Sequence, residues 1–371
     1  MQSLMGIINL GEPTNSIREL TQHRTLGAVP FGSRYRLIDF TLSNMVNAGI
    51  RNVGILIWDR YGPLLDHIKS GKEWDLDRQR DGLFLLPPAN SGNGTLELKG
   101  DVANLYRNMA YLQKSRQKYV VISGSSMICN MDYGEVLDYH LAKGADVTIV
   151  YSDTMGLAQN PPFTSLVTDD DYRVLDLAIN PQKGKGEKAS MNMYIMAKHT
   201  LIELVDHCAS RGKRDMLTEG LLPRLREWKV YGYPYIGYVG EVNSLKNYYK
   251  HSMELLDPAV WQELFFKKGL IHTKIKHEPP VRYLPGSSVR NSLIANGCII
   301  EGTVENSILF RGVRVKKGAV IQDSIVMQKA QIGEDVLLKH VILDKDVKVS
   351  AGKRLTGDGG YPIVIHKLAE I

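Results

Sequence analysis

The chain is poor in the features that mark several protein classes. It has three cysteines in 371 residues: Cys129, Cys208 and Cys298. They are odd in number and far apart, which excludes a disulfide framework and a cysteine-ligated metal site and suits a reducing, cytoplasmic setting. No stretch reaches the ~20 consecutive apolar residues of a membrane span. The opening Met1-Gln2-Ser3-Leu4-Met5 has no basic leader region, so no secretory signal is expected. The formal net charge is only +6, and the basic residues are scattered rather than interleaved with aromatics, which argues against nucleic acid as the partner. Sugar phosphates and other small anions suit that balance.

What remains is an ordinary globular composition, 43% hydrophobic and 23% charged, in a chain too long for one core. Two domains are therefore expected. Short apolar runs at residues 5–10, 51–57, 119–123 and 145–151 read as buried strands. Amphipathic patterns at 61–69, 102–116 and 133–143 read as helices between them. That alternation predicts a mostly parallel sheet covered on both faces, with chemistry in the loops after the first and third strands. Residues 27–49 are the organising stretch, with a Pro30-Phe31-Gly32 turn and then a helix buried on one face and stopped at Asn47-Ala48-Gly49.

After residue 280 the pattern changes. Small or β-branched apolar residues recur about every six positions, at Val289, Ile294, Ile299, Val304, Leu309, Val315, Ile321, Val326, Ile332, Val336, Ile342 and Val347. Gly297, Gly302, Gly312, Gly318 and Gly333 fall at the turns. A hexapeptide period of this kind is the mark of a parallel β-helix. Such domains also occur in acyltransferases, which need a histidine base between coils. His340 is the one candidate inside the repeat, and since a lone histidine is more often a surface residue the acyltransferase reading is set aside.

The runs Ala28-Val29-Pro30-Phe31-Gly32, Tyr35-Arg36-Leu37-Ile38-Asp39-Phe40 and Leu42-Ser43-Asn44 resemble the ADP-glucose pyrophosphorylase (glucose-1-phosphate adenylyltransferase) family. The resemblance implies an α/β, Rossmann-like (GT-A-like) nucleotidyltransferase domain over residues 1–255. It further implies a helical connector over 256–280 and a left-handed parallel β-helix over 281–371.

The chain departs from the family where the chemistry lies. The loop Leu10-Gly11-Glu12-Pro13-Thr14-Asn15-Ser16 keeps one glycine of the phosphate-binding turn. Glu12 puts a carboxylate where phosphate is expected, Pro13 removes a donor, and Ser16 stands where the family has its arginine. The family's Ala-Lys-Pro lysine is missing at Leu26-Gly27. Its Ser-Gly-Asp-His, whose aspartate coordinates Mg2+, has become Ser123-Gly124-Ser125-Ser126. The lysine that grips glucose 1-phosphate is replaced by Asn180, and Lys183, Lys185 and Lys188 nearby read as a solvated loop. Glu241 keeps the charge of a second family carboxylate and is a weak metal candidate.

With the metal carboxylate, the arginine and the substrate lysine changed together, the pattern resembles the family's GlgD-type subunit, and that resemblance implies a regulatory, catalytically impaired chain with no catalytic residues of its own and no required cofactor. Its implied partner is a catalytic paralogue in a heterotetramer, or further copies of itself when alone. His23, Arg24, Arg34 and Arg36 match the family's basic effector region and would take phosphate, sulfate or a sugar phosphate. Arg36 has a second reading as the ion-pair partner of Asp39. The alternative function is an active enzyme whose Mg2+ is shared by Glu241, Asp101 and Asp132, although Asp132 also reads as a helix N-cap. A third is a sugar-phosphate sensor that works without a partner.

Overall fold

The computed structural model describes residues 3–88, 100–155, 163–179 and 188–371. It divides into two compact units, neither continuous in sequence. The first comprises Met1–Glu12, Ile38–Gly240 and Phe265–His272; the second comprises Pro13–Leu37, Glu241–Leu264 and Thr273–Ile371.

The first unit is built on a nine-stranded sheet. Its strands are β1 (Leu4–Asn9), β2 (Asn52–Leu56), β3 (Gly82–Leu86), β4 (Tyr119–Ser123), β5 (Val147–Ser152), β6 (Thr164–Thr168), β7 (Val174–Ile179), β8 (Ala189–Ala197) and β9 (Val230–Pro234). The order β7-β6-β8-β4-β1-β2-β3 has β9 attached through β5, which itself pairs β8. β1 to β4 form the parallel core, with Gly6 beside both Val53 and Val121. β8 runs antiparallel to β4 and β5 and lies between them. The predicted parallel sheet is therefore interrupted by an antiparallel strand that was not among the expected apolar runs.

Helices cover the sheet: α1 (Leu37–Asn47), α2 (Gly62–Ile68), α3 (Gly100–Arg107), α4 (Met109–Lys114), α5 (Tyr133–Ala142) and α6 (Lys198–Ala209). The single helix expected over 102–116 is broken at Asn108, whose Nδ2 bonds to the Pro87 and Asn104 carbonyls. On one face Met5, Ile7, Val120, Ile122 and Ile149 join Leu105, Leu201 and Leu204 in a core. Each such side chain contributes ~1.5–3 kcal/mol of burial. On the other face Gly6 makes room for α1, since a Cβ there would lie 2.5 Å from the Met45 sulfur.

α1 is not the one-sided helix its apolar spacing predicts. Every residue from Leu37 to Val46 is buried, polar ones included. That is possible because each polar side chain has a partner within the unit. Asp39 meets His67 Nε2 at 2.6 Å, and Thr41 donates to the Gly124 carbonyl at 2.9 Å. Ser43 accepts from His272 N and from the buried Trp74 indole at 2.8 and 3.2 Å. Asn44 spans the Cys129 carbonyl and the Met131 N–H.

The second unit is dominated by three parallel five-stranded sheets wound into one β-helix. Its inward core includes Ile300, Val304, Leu309, Val315, Ile321, Val326, Leu338, Val341 and Leu343. The hexapeptide period therefore holds, with two slips of one residue. Ile300 rather than Ile299 points inward, and Val341 and Leu343 rather than Ile342. Ile342 is nonetheless fully buried, as are Ile308 and Ile325, which occupy equivalent places in neighbouring coils. A column of hydroxyls ties coils together: Ser292 accepts from Ser307 N, Ser307 from Ser324 N, and Ser324 from Val341 N, each at 3.1 Å. Asn291, Asn306, Asp323 and His340 repeat a left-handed turn at φ 40 to 51°.

Two helices follow, α7 (Leu245–Glu254) and α8 (Pro258–Phe266); of the residues 256–280 expected as a helical connector, only Pro258–Phe266 are helical. From α7 the Tyr249 hydroxyl donates to the Asp323 carbonyl at 2.5 Å and lies 3.0 Å from His340 Nδ1. His340 is thus engaged with a tyrosine.

Candidate functional site

β1 and β4 are parallel neighbours, so the loops that follow them leave the same edge of the sheet. Asn9, which ends β1, shapes the first loop. Its Oδ1 accepts from Gly11 N at 3.1 Å and from Trp58 Nε1 at 3.3 Å. The indole lies so close to Gly11 that any Cβ there would come within 2.7 Å of the ring. The turn that keeps the family's last glycine is thus lined by a tryptophan.

Glu12 completes this loop and reaches the next one. Its carboxylate accepts the backbone N–H of Ser125 in the Gly124-Ser125-Ser126 loop. Burial pushes the Glu12 carboxyl up from the ordinary range, against the pull of hydrogen bonds from Ser125 and Ser126. Ser125 is itself fully buried. The two positions that depart furthest from the family's chemistry, Glu12 and Ser125, are therefore in direct contact. Ser16 is exposed on the short turn Asn15–Ile17 of the second unit.

These residues do not fit a catalytic Mg2+. The coordinating aspartate is a serine, and the nearby carboxylate is engaged by backbone N–H groups. Among the described residues no three His, Cys, Asp or Glu side chains stand together as metal ligands. Asp101 accepts from Val102 N and Met216 N at 2.8 and 3.1 Å, and burial with nearby Asp215 raises it to about 6. Asp132 caps α5 by accepting from Gly134 N at 2.7 Å. Both serve local backbone. Glu241 is buried at the end of Val239–Glu241.

In the second unit the basic residues converge. Arg24 is 3% exposed, and its Nη2 contacts both Asp344 oxygens at 2.9 and 2.7 Å. Its Nη1 is buried without a hydrogen-bond partner among the described residues. Lys345, largely buried, is pushed down to about 7 by desolvation, then by Arg36 and Arg24, with Asp344 opposing and Lys276 adding. Lys276 is lowered by burial, then by Arg311 and Arg36, with Glu278 opposing and Lys329 adding. Both ammonium groups are lowered first by desolvation and then by neighbouring guanidinium groups, which marks a place where basic side chains gather. His23 and Arg34 are exposed, and the Arg34 guanidinium lies 5.4 Å from the centre of the Tyr35 ring. Asp39 pairs with His67.

Asn180, Lys183 and Lys185 lie outside the described residues. Lys188 is not the solvated loop residue expected. It donates to Thr168 Oγ1 at 2.6 Å and sits 5.5 and 5.6 Å from the Tyr151 and Tyr172 rings. Sequence reasoning missed Trp58, Lys276 and Lys345, because each is brought to its site by the fold and none sits in a local motif.

An α/β sheet whose neighbouring parallel strands β1 and β4 carry the Glu12 and Ser125 loops, in one chain with a β-helix, defines a class that the comparisons bear out. A nucleotidyl transferase model matches residues 11–254, and a GlmU-like C-terminal hexapeptide model matches residues 283–359. The chain belongs to the nucleotidyl transferase family, in its glucose-1-phosphate adenylyltransferase branch with a C-terminal left-handed β-helix. Among relatives, the glycogen biosynthesis protein GlgD of Bacillus subtilis (strain 168) is 39% identical over 364 residues, which cover 98% of this chain and 96% of that protein. The glucose-1-phosphate adenylyltransferase of Geobacillus stearothermophilus is 36% identical over 317 residues, 84% of this chain and 81% of the relative. That of Bacillus mycoides (strain KBAB4) is 34% identical over 356 residues, 95% and 94%.

Proposed function

We propose that the chain is a regulatory, catalytically impaired subunit of glucose-1-phosphate adenylyltransferase acting in glycogen biosynthesis. It assembles with a catalytic paralogue in a cytoplasmic heterotetramer and raises that partner's activity or alters its response to effectors. The observation that carries this reading is the Glu12 carboxylate on the Ser125 N–H, at the loop where the family places its metal aspartate. A phosphoryl-transfer site depends on cations and donors aimed at the phosphates. Here an acidic side chain holds the donor and a hydroxyl replaces the carboxylate. The names of the relatives supply the pathway and the partner's chemistry.

The basic cluster of the second unit is the effector site of this reading. Buried Arg24, half-buried Arg36 and Lys345 and exposed Lys276 form it, and exposed His23 and Arg34 would add to its surface. Its ligand is a phosphate, a sulfate or a sugar phosphate, each a small dense anion that guanidinium and ammonium groups recognise.

The test is ADP-glucose synthesis by this chain alone, by its catalytic paralogue alone, and by both co-expressed. Silence of the chain alone, with a mixture faster than the paralogue, is expected. Turnover by the chain alone at the paralogue's rate would overturn the reading.

A further inference from the structure

We propose that Glu12, on the loop that corresponds to the family's phosphate-binding turn, is a tethered anion held by the Ser125 N–H of the Gly124-Ser125-Ser126 loop. The chain would then carry a built-in block against the triphosphate of a nucleotide. This inference rests on the reading that the site descends from a working nucleotidyl transferase, and it would extend the impairment from turnover to nucleotide binding.

The argument begins with backbone geometry. β1 and β4 are adjacent and parallel, with Ile8 opposite Ser123, so a residue three positions beyond β1 can reach the loop beyond β4. Glu12 does so, and one carboxylate oxygen takes the Ser125 N–H. Backbone N–H groups at the carboxyl ends of parallel strands are the donors such sheets offer to phosphate. A carboxylate oxygen is the same kind of acceptor, carries the same sign of charge, and is attached to the chain.

The fit is close. A Cβ at Gly124 would come 2.7 Å from that oxygen, so any other residue there would push the carboxylate from its place. Ser125 is fully buried beneath it. Thr41 holds the Gly124 carbonyl from the other side at 2.9 Å, which fixes the loop in its donating orientation. An incoming phosphate must therefore expel Glu12 or lie against it, and like charges in a buried site repel strongly. The upward shift of the Glu12 carboxyl by burial agrees with a group held there at a cost to the fold.

The experiment is calorimetric titration of ATP, with and without Mg2+, into the full-length chain and its Glu12→Ala and Glu12→Gln variants. The block predicts that Glu12→Ala binds ATP roughly tenfold or more tightly than the wild type, with Glu12→Gln in between because it keeps the shape without the charge. Equal affinities in wild type and Glu12→Ala overturn it. Should Glu12→Ala fail to fold, as judged by circular dichroism, Glu12→Gln decides: a gain of threefold or more, roughly, supports the block and no gain overturns it. A wild-type chain that does not raise the paralogue's rate removes the regulatory reading while a gain in Glu12→Ala still sustains the block. Unchanged ATP affinity removes the block alone.

Discussion

Arg24 and Asp344 form a buried pair, 2.7 Å apart and each 3% exposed, that joins the start of the second unit to the last coils of its β-helix. Such a pair is demanding rather than simply stabilising, because both charges have left water and each needs the other. Asp344→Ala should destabilise the chain by about 3–5 kcal/mol, since Arg24 would remain buried beside Lys345 with no counter-charge. Replacing both, as Arg24→Met with Asp344→Leu, should recover most of that loss. Urea midpoints of the three chains check this, and a double variant no more stable than Asp344→Ala would contradict it.

The effector reading has a pH signature. Lys345 titrates at about 7, depressed first by burial and then by Arg36, Arg24 and Lys276. It therefore gains its proton as pH falls from 8 to 6, and the charge of the cluster rises with it. Sulfate, which does not titrate in that window, should bind more tightly at pH 6 than at pH 8. In Lys345→Met the difference should shrink. Equal pH dependence in both chains would remove Lys345 from the site.

Asp101 makes a separate pH prediction. Its carboxyl is raised from 3.8 to about 6 by burial and by Asp215. A carboxyl that binds its proton more tightly when folded stabilises the fold in acid and loses that contribution as pH rises through about 6. The swing amounts to about 2 kcal/mol between pH 4 and pH 7. Asp101→Asn keeps an acceptor for the Val102 and Met216 N–H groups and removes the titration. The gap between variant and wild type should therefore widen in the variant's favour on going from pH 5 to pH 7. A constant gap in denaturation midpoints would exclude this.

Restoring the missing aspartate alone should not restore the site. Ser125→Asp sets a second carboxylate against Glu12 in a buried place, where two like charges cannot both ionise cheaply. A loss of about 1–3 kcal/mol at pH 7 is expected, smaller at pH 5, where one carboxyl is neutral. In a Glu12→Gly background the loss should largely vanish. Thermal unfolding of the two Ser125→Asp chains decides the matter.

The β-helix was legible because each coil repeats the same demand, an apolar residue inward at each corner, and repetition averages out single errors. It failed by one position at Ile299 and Ile342, where two adjacent apolar residues gave no local reason to prefer either. β1, β2 and β4 were legible as apolar runs, whereas β3 (Gly82–Leu86) was not read as a strand. β8 was not, because Met191-Asn192-Met193 mixes polar and apolar residues and its place depends on both neighbours. The altered residues of the site were visible at once, at Glu12 and Ser125. That one of them grips the other depends on the pairing of β1 with β4. The Lys276–Lys345 concentration of charge is likewise a product of winding and is invisible in sequence spacing.

The second unit takes its first segment from Pro13–Leu37 and most of its mass from Thr273–Ile371. On the ribosome Arg24 emerges early and Asp344 near the end, 320 residues later. At ordinary elongation speeds that is a wait on the order of tens of seconds. During it a positively charged strap hangs from a sheet that has already begun to form, without the coil that will receive it. Chaperone demand should therefore fall on this early segment, and nascent chains stalled before residue 344 should expose it to protease while the parallel core already resists.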